Sequence, residues 1–175
     1  MRAAALLAMA GGAAAAPIVT VDSRSGTYEV QGEFTTAAPI DTAWAVLTDY
    51  EHIPSFVNSI KRSEVLRSSG DGVRVHQSAV VGVFPFRFSA RVTLAVTEEP
   101  MRRIEFIDTL GEDFFRYAGS WSLRGDSSTT VVHYSLLAIP RSNAPSWFGR
   151  GMMSHGVADL LLQVHREIDR RAARR

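Results

Sequence analysis

Cysteine is absent from this chain of 175 residues. That excludes disulfides, iron–sulfur clusters and thiolate zinc sites without saying which compartment holds the protein. The five histidines are scattered, none paired at the three- or four-residue spacing that places two ligands on one helical face, so neither a metal site nor a cofactor is expected. No G-x-S-x-G elbow occurs. Ser154 and His155 are adjacent, and neighbours on a helix point about 100° apart, so they do not make a hydrolytic pair. Gly149-Arg150-Gly151 does not directly follow a strand or complete G-x-G-x-x-G, which removes the usual nucleotide-binding signal. Lysine is nearly missing: Lys61 is the one exception among 19 basic residues, which face 18 acidic ones for a formal charge of +1. A chain that has lost Arg2 would be neutral, so bulk charge gives no support for a nucleic-acid partner. The arginine and alanine bias suits a GC-rich bacterial genome.

Past the N-terminus no run is long and apolar enough to span a bilayer. The N-terminus itself carries Arg2, an apolar run from Ala3 to Ala10 and small residues from Gly11 to Ala16. That is the layout of a short secretory signal peptide over residues 1–16, with cleavage near Ala15 and a periplasmic or secreted product. An uncleaved anchor is the other reading of the same residues. The remainder suits one domain, residues 26–172, long enough to bury a real core.

Ile40, Ala43, Trp44 and Leu47 recur at helical spacing, with Asp41 placed to cap or charge-complement the first turn. Pro54 disfavours helical geometry at Ile53, which predicts a bend there and a second helical turn through Ser55, Phe56 and Val57. Before this bent helix pair, Pro17 to Ser25 reads as a leader. Tyr28, Val30, Gly32 and Phe34 then alternate with Glu29, Gln31 and Glu33 as a half-buried strand should. After the pair, strands follow over Ile60–Arg67, Val73–Val81 and Phe86–Leu94, then through Ile104–Asp108, Phe115–Leu123 and Thr130–Ile139. Hairpin signals lie at Ser68–Gly72, Glu98-Glu99-Pro100, Gly111–Asp113 and Gly125-Asp126. In the last strand Val132, Tyr134 and Leu136 compete with Val131, Leu137 and Ile139 for the inside, and the first set is favoured. A final helix can start near Ser142 or Asn143, accept Pro145 in its first turn and run to Arg170, with Met153, Val157, Leu160, Leu161, Val164 and Ile168 as its apolar stripe.

The segments AWAVLTDYEHIPSFV, RVTLAVTEEPMRRIEF and FFRYAGSWSL, in this order and spacing, resemble the START/Bet v 1-like superfamily. The similarity is greatest to its polyketide cyclase/dehydrase and coenzyme Q-binding branch. The resemblance implies an α+β helix-grip fold: a curved seven-stranded antiparallel sheet around a long C-terminal helix, with two short helices after the first strand. It also implies a hydrophobic cavity between sheet and helix that takes lipids, isoprenoids or quinones, sterols or polyketides. No invariant catalytic set goes with that fold, so no catalytic residue is carried over.

Gln77, Phe88, Phe106, Asp108, Tyr117, Trp121 and Tyr134 fall on inward faces of strands, opposite Met153, Gly156, Val157 and Leu160 of the helix. Together they form the candidate ligand wall. An inward polar group without a partner costs about 1–3 kcal/mol, so Gln77, Asp108, Tyr117 and Tyr134 must pair, meet water or orient a ligand. Asp108 with a raised pKa is also the candidate general base. Gly149, Gly151 and Gly156 each cost the helix roughly 1 kcal/mol relative to alanine, which points either to close packing on the sheet or to room for a ligand. The apolar tip Val83-Phe84-Pro85-Phe86 reads as a portal touching a membrane transiently, or as a packing surface for the helix pair. The run Arg166–Arg175 reads as a solvated helix end favoured by the helix dipole. The leading expectation is an exported, non-catalytic carrier of a small hydrophobic ligand. A cyclase or dehydratase using the same cavity is the alternative.

Overall fold

A computed structural model describes residues 16–66, 72–83, 86–141 and 149–174. Residues 1–15, 67–71, 84, 85, 142–148 and 175 lie outside them, and with these nearly all of the expected signal peptide, most of the Ser68–Gly72 hairpin signal, the centre of the apolar tip and the expected helix start near Ser142 or Asn143. The chain runs β1 (Ile18–Arg24), β2 (Thr27–Thr36), α1 (Ile40–Leu47), a 3-10 helix (Tyr50–Ser55), β3 (Ile60–Leu66), β4 (Val73–Val83) and β5 (Phe86–Glu99). It continues through β6 (Arg103–Asp108), β7 (Phe114–Gly125), β8 (Thr130–Pro140) and α2 (Arg150–Ala172). All strands pair antiparallel in one sheet of order β1-β2-β8-β7-β6-β5-β4-β3. This is the expected α+β helix-grip arrangement with one strand more than expected: the sheet has 8.

The extra strand is the segment read as a leader. Ser25 and Gly26 both have positive φ, 49° and 80°. Two such residues make the tight hairpin turn whose twist matches the flanking strands. Val19 and Val21 then pack on the core while Ile18, Thr20 and Asp22 face out.

The helix pair also breaks earlier than expected. α1 ends where Thr48 returns its N–H and its hydroxyl to the Trp44 carbonyl (3.0 and 2.9 Å). Pro54 sits inside the 3-10 helix and not at a bend. The N–H groups of Phe56 and Val57 both reach the Ile53 carbonyl (3.1 and 2.8 Å), so the missing proline donor leaves a short turn intact. Pro39 is the residue before α1, no side chain caps it, and Asp41 only charge-complements its first turn. Tyr50 fastens the 3-10 helix to β5 by donating to Glu98 at 2.6 Å, and burial, then this bond, hold its hydroxyl protonated.

Alternation decides the inside of the last strand as expected: Val132, Tyr134 and Leu136 are buried, and Ala138 joins them. Val30 and Phe34 of β2, Leu94 and Val96 of β5, and Ile104 and Phe106 of β6 complete the concave face. Against it lies the α2 stripe Val157, Leu161, Val164 and Ile168. Trp44 and Trp121 are half-buried at the margin of this core. Among the described residues no helix is long and apolar enough to cross a membrane.

Candidate functional site

Sheet curvature and the first half of α2 leave a cavity of about 1190 Å³ between them. Its floor is made by buried side chains: Val92 of β5, Tyr134, Leu136 and Ala138 of β8, and Val157 of α2. Its mouth is made by exposed ones: Asn58 and Lys61 before and in β3, Glu112 and Arg141 at the ends of β7 and β8, and His155, Gly156 and Asp159 of α2. The Asn58 backbone donates to Gln163 Oε1 at 2.7 Å, which ties the loop before β3 to α2 across that mouth. On the other side Asp113 accepts from the Arg91 backbone at 2.8 Å and from its guanidinium at 3.2 Å, which lowers the Asp113 pKa.

Seven of the expected residues line this space: Gln77, Tyr117, Tyr134, Met153, Gly156, Val157 and Leu160. Gln77 faces its partner across β3 and β4, donating from Nε2 to Ser63 Oγ at 3.0 Å. Tyr117 is wedged by two aromatic rings, with centroids 4.9 Å from Phe114 and 6.0 Å from Phe106. Tyr134 lies 4.5 Å from the Trp121 ring and 6.3 Å from Phe106. The Tyr117 and Tyr134 hydroxyls interact, and either can donate. Burial raises both phenols, that bond pulls Tyr117 partly back, and the Asp108 charge pushes it up again, so both stay neutral near neutral pH.

Phe106, Asp108 and Trp121 do not reach the cavity wall. Phe106 and Trp121 instead support the two tyrosines. Asp108 accepts backbone N–H bonds from Thr93 (2.9 Å), Leu110 (3.3 Å) and Gly111 (3.1 Å), so its carboxylate closes the turn between β6 and β7. A carboxylate committed to backbone donors is a poor candidate base. Phe88 lies in β5, and its side chain is outside the described ones.

Leu136 and Ala138 were legible as wall residues, since they continue the alternation of Tyr134. Phe114, Arg141 and the Asn58–Gln163 link carry no such signal, because they meet only through the tertiary fold. Gly156 faces open space: a Cβ built there meets nothing within 4 Å. No group of His, Asp and Glu among the described residues is arranged to hold a metal ion.

Residues 36–163 match the family model described as polyketide cyclase / dehydrase and lipid transport. A search of curated proteins returns no match. Among solved structures, a STAR-related lipid transfer protein from Xanthomonas axonopodis is 17% identical with a TM-score of 0.68, over 89% of this chain and 95% of that one. The Zhui aromatase/cyclase from Streptomyces sp. R1128 is 19% identical with a TM-score of 0.63, over 85% and 95%. A START superfamily protein from Mycobacterium smegmatis is 17% identical with a TM-score of 0.64, over 83% and 97%. At these identities the likeness is one of fold.

Proposed function

Because this chain belongs to the polyketide cyclase / dehydrase and lipid transport family, we propose that it binds and carries a small hydrophobic molecule in the cavity between sheet and α2. A lipid, an isoprenoid such as a quinone, or a polyketide-like molecule has the right character. The carrying observation is the cavity itself: about 1190 Å³, largely apolar at its floor, with charged residues at its mouth. Such a volume suits a drug- or lipid-sized guest held by burial, with a few polar groups for orientation. Holding is favoured over turning over because the residues at the floor offer neutral phenols and no acid–base pair, while Asp108 is occupied by backbone donors. The test is fluorescence titration with N-phenyl-1-naphthylamine, an uncharged apolar probe. Saturable enhancement by the wild-type protein supports the reading, and its absence overturns it.

Export is part of the same proposal, supported by the apolar, small-residue N-terminus. N-terminal sequencing of protein from a bacterial host should find the chain shortened near Ala15. An intact Met1 form confined to the cytosol would refute export.

A further inference from the structure

We propose that the Tyr117–Tyr134 pair is the polar anchor of the cavity and selects guests whose buried end is an uncharged acceptor, such as a ketone, ester or quinone carbonyl, over carboxylic acids of equal length. This rests on the ligand-holding function proposed above and names the chemistry at its deep end.

The aromatic wedge comes first. Phe114 and Phe106 flank Tyr117, and Trp121 and Phe106 flank Tyr134, so neither phenol is free to swing toward solvent. Both line the cavity. A phenol has one proton to give. The two hydroxyls interact, and a pair of phenols carries two protons of which a bond between them uses one. The remaining donor of the pair therefore belongs to the cavity. A guest that brings a carbonyl oxygen would meet a donor that faces the apolar cavity.

Charge completes the selection. Asp108 lies behind the wall, close enough for its negative charge to act on Tyr117. A guest carboxylate at the phenol pair would meet that field after losing its water, with no cation beside it. The basic residues that line the cavity stand at its mouth and are engaged there. Lys61 donates to the Asn58 carbonyl at 2.7 Å, Arg141 lies 4.5 Å over the Phe115 ring and bonds the Gly111 carbonyl, and His155 faces Asp159 at 3.4 Å. Glu112 and Asp113, paired with Arg91, and Asp159, paired with His155, stand at the same mouth, so the cations of the cavity lie there and not beside the phenol pair.

The experiment displaces N-phenyl-1-naphthylamine, which has no carbonyl, from the full chain at pH 8 with 2-tridecanone and with dodecanoate. The ketone is expected to compete at a concentration at least about tenfold lower than the acid, given the cost of burying an unpaired carboxylate. Tyr117→Phe should weaken the ketone by about fivefold more than it changes the probe's own affinity, the worth of one hydrogen bond. Dodecanoate competing as well as the ketone, or a Tyr117→Phe protein that holds probe and ketone as the wild type does, overturns the anchor while leaving ligand holding intact. Failure of the wild type to bind the probe overturns both. If Tyr117→Phe no longer binds the probe, Tyr134→Phe decides: a ketone weakened more than the probe supports the anchor, and ketone and probe unchanged or weakened alike refute it.

Discussion

From Leu161 onward α2 is buried and tied down, whereas from Arg150 to Leu160 most of its surface is open or faces the cavity. Leu161, Val164, His165 and Ile168 sink into the core, with His165 stacked on Phe34 at 4.7 Å. Thr36 donates to Asp169 at 2.6 Å. Glu167, buried, receives Arg170 at 2.6 Å and Arg171 at 2.7 Å, and Arg171 reaches on to Asp49 behind α1 at 2.7 Å. The helix end expected to be solvated is thus partly a clasp between α2 and the helix pair. Among the described residues the first half carries none of these long-range ties, and the nearest is the Asn58–Gln163 link just past its end. One helix therefore serves two purposes: its second half supplies stability, and its first half, apart from the buried Val157, supplies a wall less committed to core packing.

The largest effect that would break this contrast is at Leu161. It is fully buried, and its side chain rests directly on the backbone of Gly32 in β2. Leu161→Ala should cost about 2–5 kcal/mol in denaturant or thermal melts. Leu160→Ala, one residue away on the cavity wall, should cost clearly less and shift probe affinity instead. Gly32→Ala reads the same contact from the other side. Its Cβ would run into the Leu161 side chain, so the substitution should cost about 1–3 kcal/mol although alanine suits an extended strand better than glycine. Equal losses at Leu160 and Leu161 would erase the distinction between anchor and wall.

These residues also show where reading the sequence stops. The alternations through Tyr134 and Val132 and the stripe Val157–Leu161–Val164–Ile168 declare their faces, because periods of two and 3.6 depend only on local geometry. What they leave open is how far along a face the cavity extends. Phe106 and Trp121 share the inward side with Tyr117 and Tyr134, yet curvature leaves the first pair beneath the second. The helix glycines left close packing and room for a ligand equally open; Gly151 and Gly156 face open space, and the glycine that lets helix and sheet approach is Gly32, on the strand. An α-helix glycine advertises its cost, whereas a strand glycine in clean alternation looks ordinary. β1 was hidden for a similar reason: only Val19 and Val21 point inward, and the Ser25-Gly26 turn is short.

The clasp should give an intermediate effect with a pH signature. Hydrogen bonds from Arg170, outweighing burial, hold Glu167 below its ordinary value of 4.5. Burial would raise Asp49, but hydrogen bonds from His52 and Arg171 hold it below 3.8. A carboxylate whose folded pKa is depressed contributes stability that is present above the unfolded pKa and lost as pH falls through the folded one. Arg171→Ala should therefore cost about 1–2 kcal/mol at pH 7, a charged hydrogen-bond pair discounted for partial exposure. The gap between mutant and wild type should narrow steadily below pH 4.5. A gap that stays constant down to pH 3 would mean that the clasp contributes through packing, including the Arg171 guanidinium 5.8 Å over Phe56, and not through charge.

The smallest effect lies at Gly156, and its sign carries the comparison. In a helix interior, alanine replaces glycine with a gain of roughly 0.5–1 kcal/mol unless its methyl group meets something. At Gly156 the methyl meets nothing within 4 Å. Gly156→Ala should therefore stabilise the protein by roughly 0.5–1 kcal/mol. One methyl group in a cavity of about 1190 Å³ should leave N-phenyl-1-naphthylamine affinity within a factor of about two. Gly32→Ala has the opposite expected sign although the chemical change is identical, so melts of the two variants side by side compare the halves of α2 without any difference in the atoms added. A loss of stability at Gly156 as large as at Gly32 would mean that the first half of α2 is packed as tightly as the second and is not a less committed wall.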